Sequence, residues 1–166
     1  MVIIGLATMS YDLINLSKVV CRKFSRQFWV KALELGYAYG WRPLGTSPPP
    51  HMDLAQRDAE WDGTYTTNDG QIVRAEDARA LAAALERSLE DISDAGVALD
   101  WDPDAWRKYD LPEWLSPAER ELIEGELQEG SLDILGTPPL AFFAGEEKYY
   151  LAQFIRFCRL GSFAIL

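Results

Sequence analysis

The chain has one histidine, His51, so only that residue could serve as an imidazole base. It follows Pro48, Pro49 and Pro50 in a stretch of turn formers. No Gly-x-Ser-x-Gly elbow occurs, and neither Cys21 nor Cys158 carries a signature of thiolate activation. Acyl transfer by a serine or cysteine nucleophile is therefore not expected. Phosphate-binding loops are missing too, because the sequence holds neither Gly-x-Gly-x-x-Gly nor Gly-Lys-Ser/Thr. One histidine and two distant cysteines do not make a tetrahedral zinc set, and two such cysteines give no disulfide framework. No cofactor, no metal and no catalytic residue is expected from these residue types.

Carboxylates offer more. Asp100, Asp102 and Asp104 alternate as the acids opening an EF-hand loop do, a spacing that folds alternate side chains onto one oxygen-seeking ion. The match then fails, because the sixth position is Ala105 rather than glycine and the twelfth is Leu111 rather than glutamate. Pro103 further stiffens the turn. A solvated acidic loop is the better reading. Glu60, Asp62 and Asp69 could pair for acid–base work. Asp62-Gly63 and Asp69-Gly70 are, however, ordinary turn formers.

Aromatic residues are the most informative feature. The chain has 6 tryptophans and 7 tyrosines, and Trp41, Trp61, Trp101, Trp106 and Trp114 stand in irregular segments near acids. Such a tryptophan either caps the edge of a core, with its N–H near the surface, or joins an exposed aromatic and acidic patch. The second reading defines a candidate partner-binding surface of Trp101, Asp102 and Trp106, with Asp62 and Asp69 on the turns nearby.

The formal net charge of -10 is unevenly spread. Residues 1–42 hold six basic side chains against two acids, leaving a deficit of fourteen charges in the remainder. An acidic chain repels phosphate backbones, so nucleic acid is not an expected partner. The basic segment reads as a solvated helix face. No run of about 18 apolar residues is present, so no membrane association is expected. The apolar opening lacks the preceding basic residues of a signal peptide, and a cytoplasmic location follows by elimination. One domain over residues 1–166 is expected, with residues 1–8 an extension if translation starts at Met9.

The elements that must position these groups follow from periodicity. Residues 11–16 fit either an opening strand or a helical face. A helix capped by Ser25 carries Phe28, Ala32, Leu35 and Tyr39 inward and stops at Gly40. Residues 42–51 form a loop whose prolines either cross the protein's own surface or dock in a partner's aromatic groove. Residues 64–73 read as a hairpin turning at Asn68-Asp69-Gly70. A helix from Glu76 buries Ala78, Leu81, Ala82, Leu85, Leu89 and Ile92. Ser116-Pro117-Ala118-Glu119 is a capping box for a helix over 116–128. The last helix, 146–160, places Tyr150, Phe154, Phe157 and Cys158 on one face, and residues 162–166 form a short apolar strand. The expected fold is α+β, with about four helices packed with a small, largely antiparallel sheet that includes the 64–73 hairpin.

These residues point to a non-enzymatic protein-binding module that neutralises or chaperones a basic partner, of which a toxin-neutralising immunity protein is one concrete form. The alternatives are a carboxylate-dependent enzyme using Asp62, Asp69 or the Asp100 cluster, and a structural subunit docking through its apolar termini. The incomplete calcium loop gives a direct test. Millimolar calcium is expected to leave the melting temperature unchanged, whereas a site saturated a hundredfold would add about 2.7 kcal/mol. A calcium-dependent rise that disappears in Asp100→Asn/Asp102→Asn would restore the motif.

Overall fold

The computed structural model describes residues 10–17, 20–53, 61–96, 115–118, 120–121 and 137–166. The ambiguous opening segment is a strand, β1 (Ser10–Asn15). Tyr11, Leu13 and Asn15 are buried, and the intervening side chains are half-exposed. That period of two is what a sheet covered on one face imposes. The side-chain oxygen of Asn15 accepts from the backbone N–H of Ser17 at 3.1 Å and so shapes the turn out of β1. β2 (Cys21–Ser25) returns antiparallel, with Tyr11 opposite Phe24 and Leu13 opposite Arg22.

Ser25 then caps α1 (Arg26–Ala38) by accepting from Phe28 N at 3.2 Å. Burial on α1 extends well beyond the expected stripe. Trp29, Val30, Lys31 and Leu33 are inside with Phe28, Ala32 and Leu35. Gly40, at φ 96°, ends the element as expected, since the left-handed region favours glycine.

The sheet runs β2-β1-β4-β3, with each adjacent pair antiparallel. Its centre includes β4 (Phe163–Ile165), so the apolar chain end forms the strand expected of it. β3 (Gln71–Val73) pairs with β4, and across its other edge Ser47 bridges Ile72. The expected 64–73 hairpin therefore forms only in its second arm. Residues 64–67 are not strand, because their polar groups find other partners. Thr66 N donates to Thr64 Oγ1 at 3.2 Å, and the Tyr65 and Thr66 carbonyls accept from Trp29 and Tyr11 side chains. Gly70 still turns the chain, but its N–H donates to Ile165 O at 2.8 Å.

α2 (Ala75–Ser88) buries Ala78, Leu81, Ala82 and Leu85, as its periodicity predicts. It packs on α1 where Gly36 presents no side chain, and a Cβ there would run into Leu81 Cδ1. A single helical turn, α3 (Pro139–Phe142), leads to the buried Phe143. α4 (Glu146–Arg159) then packs against α2, with Leu151, Phe154, Ile155, Phe157 and Cys158 inward. The register differs from expectation at Tyr150, which is exposed. Leu151 occupies the interior instead. Of the 116–128 helix, the described residues hold only the start, where Arg120 N donates to Ser116 O at 3.0 Å. Among the described residues, no helix is long and apolar enough to cross a membrane.

Because β4 joins β1 to β3, its removal should cost more than the apolar area of its own side chains. Phe163→Ala is expected to destabilise by about 3–5 kcal/mol, the usual cost of truncating a fully buried phenylalanine. Deleting residues 163–166 should exceed that value or abolish cooperative unfolding. Urea denaturation reads both, and an unchanged midpoint for the deletion would remove β4 from the centre of the fold.

Candidate functional site

The residues singled out from sequence fall into two groups. Trp101, Asp102 and Trp106, with Asp100, Asp104 and Glu60, lie outside the described residues. Asp62 and Asp69 are described and exposed, and each shapes a turn. Asp62 Oδ1 accepts from Thr64 N at 3.1 Å beside Gly63, whose φ is 76°. Asp69 N donates to Gln71 Oε1 at 2.9 Å, just before Gly70 at φ 88°. His51 is exposed. Trp41 is buried in the core, and the half-buried Trp61 donates Nε1–H to Thr46 O at 2.9 Å. Both therefore seal the core edge.

The densest chemistry among the described residues surrounds Asp77. This aspartate stands in the first turn of α2 and has 0% exposure. The helix N-terminus favours its charge, but burial demands donors as well. Trp41 Nε1–H donates to Oδ1 at 2.8 Å, and the Tyr65 hydroxyl donates to Oδ2. The hydroxyl of Tyr65 in turn accepts from Gly45 N at 2.9 Å. The rings of Trp41 and Tyr65 meet edge-on, their centroids 5.4 Å apart. Burial pushes the Tyr65 phenol well above its usual range, and the bond to Asp77 adds to that shift. Burial likewise pushes the Cys158 thiol up, with the Asp77 charge adding to it. Such a thiol stays protonated and unreactive.

The two loops that meet here are fastened by further bonds. Trp29 Nε1 donates to Tyr65 O at 2.7 Å, and Tyr11 OH donates to Thr66 O at 2.6 Å. Thr46 Oγ1 donates to Thr64 O at 2.7 Å, and Thr46 N donates to Gly63 O at 3.0 Å. Gly63 allows this approach, because a Cβ there would sit 3.1 Å from Gly45 Cα. The arrangement holds the carboxylate in one fixed orientation. Both carboxylate oxygens are engaged, so its chemistry is structural.

A different surface carries exposed aromatic area. Tyr149 and Tyr150 are 64% and 53% exposed at the start of α4, their rings in edge-on contact. Glu146 and Glu147 precede them, and burial together with the Glu146 charge pushes the Glu147 carboxyl up. The intervening Lys148 turns its charge away, donating to Ile92 O at 2.9 Å and Asp94 Oδ1 at 2.7 Å. The patch is thus acidic and aromatic, the chemistry assigned from sequence to Trp101 and Asp102. Placing Tyr150 on the apolar stripe concealed it. The alternative register through Leu151, Phe154, Ile155 and Cys158 was the signal that could have found it. No family model, curated protein or solved structure matches the chain.

Tyr65→Phe tests the buried network. At neutral pH it should cost about 1.5–3 kcal/mol, the range for a hydrogen bond to a charged group. The folded-state pKa of Tyr65 lies above its unfolded value of about 10. Its contribution is therefore fully present below pH about 10 and is lost as pH rises beyond it, because the unfolded chain ionises first. Urea denaturation at pH 7 and at pH 11 should show the gap between parent and variant narrowing. A gap that widens at alkaline pH would reverse the assignment.

Proposed function

We propose that the chain is a non-enzymatic protein-binding module that engages a basic partner, in the manner of a neutralising or chaperoning protein. The exposed Tyr149–Tyr150 pair beside Glu146 and Glu147 carries this reading. Tyrosine supplies contact area at small entropic cost and is enriched at protein interfaces. Carboxylates at the rim steer an oppositely charged partner and favour its approach. The overall charge of -10 works in the same direction. Trp101, Asp102 and Trp106, with the exposed turns at Asp62 and Asp69, are the further residues proposed for this contact.

Asp77 is set aside as a candidate catalytic carboxylate, because its two oxygens are occupied by Trp41 and Tyr65 and it has no exposed surface. The carboxylate-dependent alternative rests instead on Asp62, Asp69 or the Asp100 cluster.

Affinity capture from the native cell tests the reading, with the parent compared against Tyr149→Ser/Tyr150→Ser and Glu146→Lys/Glu147→Lys. The tyrosine variant should lose capture of a basic protein, with about 2 kcal/mol or more lost if either ring is a hot spot. The charge-reversed variant should slow association, and added salt should slow the parent, as screening of steering requires. A partner captured equally by all three chains would reject this surface.

A further inference from the structure

The two edges of the sheet are unlike. On β3, Ser47 N donates to Ile72 O at 2.8 Å and Ile72 N donates to Ser47 O at 3.0 Å. Pro48 and Pro49 follow, and Pro49 is buried. That edge is covered, and the prolines beyond the bridge have no N–H to extend it. The opposite edge is β2, which pairs with β1 and, among the described residues, with no strand on its other side.

The ladder shows which groups of β2 face outward. Asn15 N donates to Val20 O at 2.8 Å, so Val20 and, by alternation, Arg22 and Phe24 direct their backbone groups toward β1. The same alternation on β1 turns Asp12 toward β4, where it exchanges bonds of 2.8 and 2.9 Å with Leu166. The N–H and C=O groups of Cys21 and Lys23 therefore line the open edge. Among the described residues, the Cys21 carbonyl has only a local partner, the exposed Arg22 guanidinium at 3.1 Å.

We infer that the open edge of β2 takes up an extended acidic segment of a partner protein as a fifth strand. Backbone pairing to an exposed edge supplies affinity, and alternate side chains supply selectivity. Arg22 and Lys23 are both exposed. They lie within the basic first quarter of an otherwise acidic chain. A carboxylate opposite Arg22 would replace a neutral carbonyl partner with a charge-assisted one, the stronger bond. On the sheet face away from the helices, Cys21 is in register with Ile14, Ala164 and Ile72. An apolar residue opposite Cys21 would extend that row.

The strand so specified has acids opposite Lys23 and Arg22 and an aliphatic residue opposite Cys21, which in antiparallel order is Glu-Glu-Val. A second copy of this chain is a poor occupant. Symmetric antiparallel pairing of β2 with itself about Arg22 or Lys23 sets like charges opposite one another. Lysine on an edge strand commonly discourages pairing, and here that repulsion acts selectively, against basic strands.

The test is fluorescence anisotropy with a fluorescein-labelled heptapeptide centred on Glu-Glu-Val, added to the full chain. Saturable binding is expected. It should fall at least about tenfold when the two edge-facing peptide amides are N-methylated, because buried hydrogen bonds are lost. A Lys-Lys-Val peptide should not bind. On the protein, Lys23→Pro should weaken binding more than Lys23→Ala, since both remove the charge and only proline removes the outward N–H. An edge strand tolerates proline with its N–H facing solvent, and the melting temperature checks that it does. Should that variant fail to fold, the methylated peptide still decides. Absent binding, equal binding of the methylated or Lys-Lys-Val peptide, or a dimer in sedimentation that Lys23→Glu disrupts would each overturn the proposal. Tyr149→Ser/Tyr150→Ser should bind the peptide unchanged, so this inference and the proposed basic-partner surface can fail separately.

Discussion

A carboxylate removed from water must be given donors, and the placement of Asp77 organises much of the rest. Its charge is favoured by the first turn of α2, but the helix end alone does not replace hydration. The two side-chain donors both precede Asp77 in the sequence but come from different segments, Trp41 from 36 residues before and Tyr65 from 12 residues before. Both sit on irregular segments, which have no ladder of their own to fix them. Joining them to one buried oxygen pair sets the exit from α1 and the loop that leads to β3. Once Tyr65 is fixed, its carbonyl lies where Trp29 of α1 can donate to it. The loop is thereby tied to α2 by a side chain and to α1 by its backbone.

The helices could not converge on that point without two small residues. Gly36 lets α1 approach the buried Leu81 of α2, whose Cδ1 would have to shift for a Cβ at that position. Trp41 folds back over the same glycine, its backbone N–H donating to Gly36 O at 2.9 Å. Gly63 plays the corresponding part between loops, where it passes Gly45. A glycine inside a helix costs about 1 kcal/mol relative to alanine. At Gly36 that cost is offset by close contact of α1 with Leu81 of α2, which a Cβ would crowd.

How much of this could be read from sequence follows from the range of each interaction. The stripe of α2, the Ser25 cap, the Gly40 stop and the apolar final strand are local patterns, and each appears where periodicity or capping chemistry places it. That an acid stands at Asp77 in the first turn of α2 is local chemistry, since the helix N-terminus favours negative charge. Its role as an acceptor for Trp41 and Tyr65 was not legible, because nothing local marks either ring as its partner. The 64–73 hairpin was misread for the same reason. Asn68-Asp69-Gly70 does turn the chain, but β3 pairs with β4, Val73 opposite Phe163, far along the chain, and the Tyr65 and Thr66 carbonyls bond to side chains. Tyr150 was misplaced because tyrosine fits an apolar stripe and an exposed face equally well. Only the packing of Leu151 against the interior separates the two.

The uneven charge of the sequence acquires a spatial meaning in the fold. The basic residues Arg22 and Lys23 occupy the sheet edge, while Glu146 and Glu147 occupy the start of α4, a helix packed on α2. An edge strand and a helix end recognise partners by different means. The edge offers main-chain hydrogen bonds, which any extended chain can meet, so selectivity must come from side-chain charge. The helix end offers rings and rim carboxylates, so selectivity there comes from shape and steering. If both proposed contacts form, their opposite charge would let each exclude the other's partner, because a strand acidic enough for β2 would be repelled by the carboxylates of α4. Charge separation within one small fold would then supply the proposed contacts with specificity that backbone or aromatic contact alone does not give.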